Sequence, residues 1–353
     1  MSNFTIYGED CISGMEKRLS ENSIDLMVTS IPFGQLFMYS GKSTDIGNNQ
    51  DGTSMHTSQF GLHMRFFIEQ LFRVMKPGCN ACVHIQQLLR YKVQHGYMGM
   101  RDFRGAVVTM FENHGFEYHG EVVIEKNPQA IAQRMKLHSL MFITGKKNGR
   151  MLAPAVNDYV LIFQKPGEAV PAPVIYDAVK NPNGHMTTED WICWARGVWR
   201  QGGLDLHRRN ADGSKRIVDG LASDFDANFA LEGFPEAWDW NVKHSWVSSG
   251  IWNDINEIDI LEGSRNCKEH EEEKHVCPLQ LEVIRRFVKL YSMPGETVMD
   301  PFMGIGSTGY VALEQGRKAI GFELKESYYR QAIANCNKME AAKQESGQIE
   351  LSL

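Results

Sequence analysis

Asp300-Pro301-Phe302-Met303-Gly304-Ile305-Gly306-Ser307-Thr308 is the stretch on which the fold turns. Glu296 to Met299 before it reads as a strand. Ser307 to Gln315 after it reads as a helix, and Lys318 to Phe322 as a second strand that ends in Glu323. A strand, a glycine turn and a helix in that order aim unpaired helix N–H groups at a ligand. Gly304 and Gly306 permit the turn and a close backbone approach. Glu323 follows Gly306 by 17 residues, a place where an acid suits the two hydroxyls of a ribose. The third glycine of a dinucleotide fingerprint is absent, as is the lysine of a phosphate-cradling loop. These residues predict an adenosyl ligand without a pyrophosphate, bound by an α/β domain.

The other end of the chain has the same grammar. Phe4 to Tyr7 is β-prone, and Cys11, Met15 and Leu19 then recur at helical spacing. Ile24 to Val28 is an apolar run ending at Thr29-Ser30, with Pro32 and Gly34 breaking it, which suits a buried parallel strand. His63 to Met75 is predicted as an amphipathic helix with Phe66, Phe67, Leu71 and Phe72 on its apolar face, stopped by Lys76-Pro77-Gly78. Ala81 to Ile85 is a strand, Val107 to Glu112 a helix, Gly120 to Glu125 and Tyr159 to Phe163 strands. Leu279 to Tyr291 and the polar tail from Glu326 are helices. Strands alternating with helices predict a parallel sheet. Residues 35 to 61, rich in Gly, Ser, Thr and Asn, read as a mobile loop.

Ser30-Ile31-Pro32-Phe33 falls at the carboxyl end of a predicted parallel strand, where open α/β sheets put their ligands. A base amino group is a poor nucleophile because its lone pair is delocalised into the ring. Acceptors on its N–H groups, Ser30 Oγ and the Ile31 carbonyl, would localise that pair. Phe33 would stack on a base taken out of a duplex. No base stronger than Ser30 stands out, so the proton is expected to leave late, to water.

Together the two loops make the sequence resemble the amino-methyltransferases of DNA. The family's cofactor motif reads D-P-F-x-G-x-G-S/T-T, and its reactive motif D/N/S-P-P-Y/F/W. The reactive loop comes first here and the cofactor loop last, similar to the beta class. Gly8-Glu9-Asp10-Cys11 resembles the segment at the cofactor adenine, and Arg73 to Gly78 the family's R-V-L-K-P-G. Lys126-Asn127-Pro128 and Asp158 to Gly167 resemble two further landmarks, and His275 to Gln280 the segment over the methionine part.

The resemblance implies a Rossmann-like, circularly permuted methyltransferase sheet using S-adenosyl-L-methionine. Its cofactor residues would be Asp10, Cys11, Ser30, Pro278, Asp300, Pro301, Phe302, Gly304, Gly306, Ser307, Thr308 and Glu323. Ile31 stands where the family has Pro and lacks its fixed φ, which predicts a less rigid loop. Ser at the first place leans toward cytosine N4 in this family. Adenine N6 is the commoner reaction of stand-alone members and is taken as the target, with cytosine N4 as the alternative. Methylation of RNA or protein, or a DNA-binding regulator with a dead loop, are the other readings.

With 353 residues, about 150 per domain predicts two domains or one with an insertion. All seven tryptophans lie between Trp191 and Trp252. Residues 168–273 are therefore read as an inserted target-recognition module between the methyltransferase parts 1–167 and 274–353. The net charge of −6 argues mildly against nucleic acid. Two basic islands reverse that: Lys126 to Arg150, containing Arg134 and Lys136 and no acid, and Arg196 to Arg216, containing Arg200, Arg208 and Arg209. With Trp199 they are the expected contacts to double-stranded DNA. The run Lys268 to Lys274, with four glutamates, reads as a solvated linker.

Seven scattered cysteines predict reduced thiols, and the lone Cys79-x-x-Cys82 lacks the second pair of a zinc site. No metal is expected. No long apolar run and no leader pattern is present, so no membrane association and a cytoplasmic setting are expected. The family resemblance adds a possible homodimer and a restriction-modification context.

Overall fold

The computed structural model describes residues 2–33, 46, 58–90, 96–97, 99–124, 157–168, 251–252, 255, 259–263 and 279–350. The strands are β1 Phe4–Tyr7, β2 Ile24–Ser30, β3 Met75–Gln86, β4 Leu88–Arg90, β5 Gly99–Arg101, β6 Glu117–Ile124, β7 Asp158–Gln164, β8 Ile251–Trp252, β9 Thr297–Asp300 and β10 Lys318–Phe322. The helices are α1 Cys11–Arg18, α2 Gln59–Val74, α3 Phe103–Glu112, α4 Leu281–Tyr291, α5 Ser307–Glu314 and α6 Glu326–Glu350. Residues 1–121, 126–172 and 255–353 form one compact unit; residues 122–125 and 173–254 form another.

In the first unit the sheet runs β1-β10-β9-β2-β3-β7-β6. The pairs β1–β10, β10–β9, β9–β2 and β2–β3 are parallel. β7 runs antiparallel to β3, with Asn80 to Gln86 opposite Gln164 to Asp158. The all-parallel expectation is thus corrected at β7. Apolar content tells that a strand is buried, whereas direction depends on the path of the connection before it. Asp158, the first residue of β7, thereby lies at the edge where β2 and β3 end.

Side-chain caps start α1, α2 and α3. Asp10 caps α1 by accepting from the N–H groups of Ile12 and Ser13, at 3.1 and 3.0 Å. Ser58 caps α2 and Asp102 caps α3, which is why both begin before the apolar periodicity does. The buried stripe of α2 is Phe60, Met64, Phe67, Ile68, Leu71 and Val74. Phe66, expected inside, is 49% exposed, because the 3.6-residue repeat from Phe60 passes it by. Phe72 is only partly buried and meets Phe116 edge-on at 5.2 Å.

Lys76-Pro77-Gly78 does end α2, but the chain stays in the sheet. Ile24 pairs with Met75 and Leu26 with Asn80, so β3 carries extra residues in a register slip. Gly78 holds φ 73° there, a left-handed conformation that glycine adopts at little cost. Past the slip, Ala81 to His84 pair with Met27 to Ser30 without a break.

α1 packs beside α2, while α5 lies between α4 and α6. No helix among the described residues is long and apolar enough to cross a membrane. Within the second unit, Val123 and Ile124 pair in parallel with Ile251 and Trp252. The expected loop at 35–61 lies mostly outside the described residues; Ile46 within it is buried at 3% exposure, and 58–61 already belong to α2 and its cap.

Candidate active site

β9 and β2 are neighbours whose outgoing connections part. The chain leaves β9 through α5 towards β10, and leaves β2 through α2 towards β3. Such a switch point opens a crevice beyond the carboxyl ends of the two strands. Those ends are Asp300 and Ser30, the first residues of the two loops singled out in the sequence. Asp10 follows β1 and Glu323 follows β10 at the same edge.

A buried brace locks the two strands. Thr29 Oγ1 donates to Asp300 Oδ1 at 2.6 Å, and Thr308 Oγ1 donates to Asp300 Oδ2 at 2.7 Å. The Phe302 N–H also donates to Asp300 Oδ1, at 3.0 Å. Asp300 is 5% exposed. Burial pushes its carboxyl up to about 6, although these three donors each pull it down. Asp300 and Thr308, expected at the cofactor, direct these polar atoms at the brace. Thr29 was not anticipated; a hydroxyl inside an apolar strand was the available signal.

The glycine turn is built as its sequence suggests. Gly306 has φ 92° and would bring a Cβ to 3.0 Å from Ala332 Cα, so no larger residue fits unstrained. Glu323 Oε2 accepts from the Gly304 N–H at 2.8 Å, and Oε1 from the Lys325 N–H at 2.8 Å. The acid thus ties the glycine turn to the backbone just before α6. Ser307 Oγ is buried and has no hydrogen-bond partner among the described residues. A buried hydroxyl left unpaired costs free energy unless something supplies its partner. Phe302 packs on Phe67 at 5.1 Å, and Pro301 is buried beside it. Cys11 is buried at 5% exposure; burial first, then neighbouring Asp10, holds its thiol well above the usual range.

In the reactive loop Ile31 is 1% exposed and belongs to the main core. Burying such a side chain is worth about 1.5–3 kcal/mol. Packing therefore anchors the loop where Pro would have fixed φ. Pro32 is buried, and Phe33 is partly buried against the core. Phe33 meets the His84 ring edge-on at 5.9 Å and 61°.

His84 is the residue the sequence reading missed. Ser30 and His84 are register partners on β2 and β3, and Ser30 Oγ lies 2.9 Å from His84 Nδ1. His84 Nε2 lies 3.2 Å from Asp158 Oδ2. That second contact is a close ion-pair approach rather than an aligned hydrogen bond. His84 is 7% and Asp158 8% exposed. Three polar side chains therefore cross three adjacent strands at the crevice edge.

Pro278 and all of Lys126, Arg134, Lys136, Arg196, Trp199, Arg200, Arg208 and Arg209 lie outside the described residues. Cys11, Cys79, Cys82 and Cys336 are free thiols. Burial pushes Cys79 up to about 11 and Cys82 further, so neither is a ready metal-binding thiolate. Among the described residues no cluster of His, Cys, Asp and Glu could hold a metal ion.

The family model of the N6/N4 methyltransferases, described as DNA methylase, matches residues 24–334. The type II methyltransferase M.MthZI of Methanothermobacter thermautotrophicus is 29% identical over 92 residues, 26% of this chain and 24% of that protein. The matching segment thus spans about a quarter of that relative's length. A Thermus thermophilus protein, TTHA0409, solved in complex with S-adenosyl-L-methionine, superposes with a TM-score of 0.56. It is 17% identical, with 95% of this chain and 94% of that chain covered. The PvuII DNA methyltransferase, cytosine-N4-specific, superposes with a TM-score of 0.53 at 15% identity, covering 95% and 86%. At these identities the two superpositions establish a shared Rossmann-like α/β fold.

Proposed function

The chain belongs to the N6/N4 DNA methylase family, and on that premise we propose that it transfers a methyl group from S-adenosyl-L-methionine to the exocyclic amino nitrogen of a base in double-stranded DNA. One observation carries the reading. The Ser30–Phe33 loop and the Asp300–Thr308 loop, at opposite ends of the chain, flank one crevice and are tied by the Thr29–Asp300 hydrogen bond. A donor site and an acceptor site side by side are what group transfer requires.

The residues present fit the cofactor. Ser307 Oγ is a buried polar atom in need of a partner, and Gly306 keeps the turn free of a Cβ. Gly304, Gly306, Ser307, Glu323 and Asp10 would hold it, together with Pro278, which lies outside the described residues. When bound, S-adenosyl-L-methionine supplies a methyl group made electrophilic by its sulfonium. The chain does the rest. Ser30 Oγ and the Ile31 carbonyl accept hydrogen bonds from the target amino group. Phe33 stacks on the base once it has left the duplex. Residues 168–273 read the DNA, with Arg196, Arg200, Arg208, Arg209 and Trp199 as its contacts, and the island from Lys126 to Arg150 follows phosphates.

Adenine N6 is the target we favour, with cytosine N4 as the second reading because Ser occupies position 30. Incubation of unmethylated bacterial genomic DNA with labelled S-adenosyl-L-methionine, followed by nucleoside analysis, tests both. N6-methyladenine is the expected product. N4-methylcytosine would select the second reading, and neither modified nucleoside would refute the activity.

A further inference from the structure

Resting on that activity, we infer that Ser30, His84 and Asp158 form a proton relay, which takes the proton released by the target amino group and carries it across the sheet edge. Proton loss to bulk water was the expectation from sequence. The geometry offers a nearer acceptor.

The hydrogen positions follow from the chemistry of the three groups. Asp158 Oδ2 stands 3.2 Å from His84 Nε2, and the charge of an ionised carboxylate there favours the tautomer that carries the proton on Nε2. Nδ1 then bears a lone pair. Ser30 must donate its hydroxyl proton to it across 2.9 Å. With its hydrogen committed to His84, Ser30 Oγ turns its lone pairs outward and acts on the substrate purely as an acceptor. His84 thus makes a hydroxyl behave like one oxygen of a carboxylate.

The proton count closes. As the new N–CH3 bond forms, the donor's S–CH3 bond breaks and its electron pair stays on sulfur. The amino nitrogen then gives up one N–H proton to Ser30 Oγ, while Ser30 passes its own proton to His84 Nδ1. The product is a neutral methylamino group, a neutral Ser30 and an imidazolium beside the Asp158 carboxylate. The imidazolium returns its proton to water after product leaves. His84 and Asp158 act through Ser30 and are positioning residues for it.

Burial supports the assignment. His84 is 7% and Asp158 8% exposed, so water competes little for their contact, and the Asp158 charge offsets part of the desolvation cost of an imidazolium there. Phe33 against the His84 ring, at 5.9 Å, links the stacking element to the relay. The antiparallel sense of β7 is what brings Asp158 to this edge.

Two measurements on the full chain test the relay. The first is imidazole nitrogen NMR of the protein without cofactor or DNA. In the neutral ring the Nε2 signal should be that of the protonated nitrogen and the Nδ1 signal that of a nitrogen accepting a hydrogen bond. Ser30→Ala should remove the hydrogen-bond signature at Nδ1, and Asp158→Asn should let the proton redistribute between the two nitrogens. The second is single-turnover methyl transfer to unmethylated genomic DNA. The wild-type rate should rise with pH and level off. His84→Gln should lower the plateau about 100-fold and abolish the inflection, with S-adenosyl-L-methionine affinity unchanged by calorimetry. Asp158→Asn should keep an inflection, displaced to lower pH. Methyl transfer by wild type with ring nitrogen signals unchanged in both variants, or with the same pH profile in His84→Gln, overturns the relay alone. Altered ring nitrogen signals with no methyl transfer by wild type overturn the underlying activity and the relay's function with it.

Discussion

Thr29 and Asp300 are 271 residues apart in the chain and share a 2.6 Å hydrogen bond in the interior. The bond joins the strand behind the reactive loop to the strand behind the cofactor turn. Thr29→Val keeps the shape and removes the donor, leaving Asp300 with one fewer partner. Loss of one bond to a buried charged group costs about 1.5–3 kcal/mol. Denaturant unfolding of the variant should show a loss of that size, and an unchanged midpoint would demote the brace to mere proximity.

Asp300 also makes stability depend on pH. Its folded value of about 6 lies above the ordinary 3.8. Between about 4 and about 6 the folded chain keeps a proton that the unfolded chain has lost. Stability from this group is therefore fully present below about 4 and is lost as pH rises through about 6. The span corresponds to about 3 kcal/mol. Asp300→Asn cannot titrate, so the stability of wild type minus that of the variant should grow as pH falls from 7 to 4. A difference independent of pH would contradict the assignment.

Gly306→Ala should be costly in two ways. The residue has φ 92°, and a Cβ would sit 3.0 Å from Ala332 Cα on α6. Left-handed strain and the clash together cost about 1–3 kcal/mol. The turn must shift, so calorimetry should show weaker S-adenosyl-L-methionine binding as well as a lower unfolding midpoint.

Glu323→Ala should weaken the same ligand without a comparable loss of fold. The carboxylate holds the Gly304 and Lys325 N–H groups at a part-buried position where water can replace it. Retained cofactor affinity would exclude Glu323 from the site.

Phe33→Ala should lower methyl transfer by an amount worth about 1–3 kcal/mol if its ring stacks on the base. Cofactor binding should be spared. Undiminished turnover would remove Phe33 from the chemistry.

The elements were legible from the residues because apolar periodicity and turn residues act locally. β1 and β10 were read to their end residues. What escaped was anything set by partners distant in sequence. The direction of β7 depends on the connection from β6, which no pattern within Tyr159 to Phe163 encodes. The face of α2 was misjudged because four aromatic and aliphatic residues matched the period loosely, whereas Phe60 and Met64 set the true stripe. Ser30 and Asp300 stood out because loop motifs announce themselves. His84 did not, since a single histidine within Ala81-Cys82-Val83-His84-Ile85 looks like one more buried residue. Its meaning arises only from register with Ser30 and from the reversal that brings Asp158 alongside.

The register slip at the start of β3 has a bearing on which length changes the chain can tolerate. Residues 76–79 already carry surplus backbone between the pairs Ile24–Met75 and Leu26–Asn80. A residue gained or lost there would disturb the Gly78 and Cys79 bonds to Lys165 but lies at the end of the strand farthest from the crevice. Asn80 to Gln86 have no such surplus, being registered along β7 throughout and along β2 to His84. Because side chains alternate between faces, one inserted residue in that second half would turn His84 to the opposite side of the sheet. The two halves of one strand therefore differ in how freely their length can drift over generations.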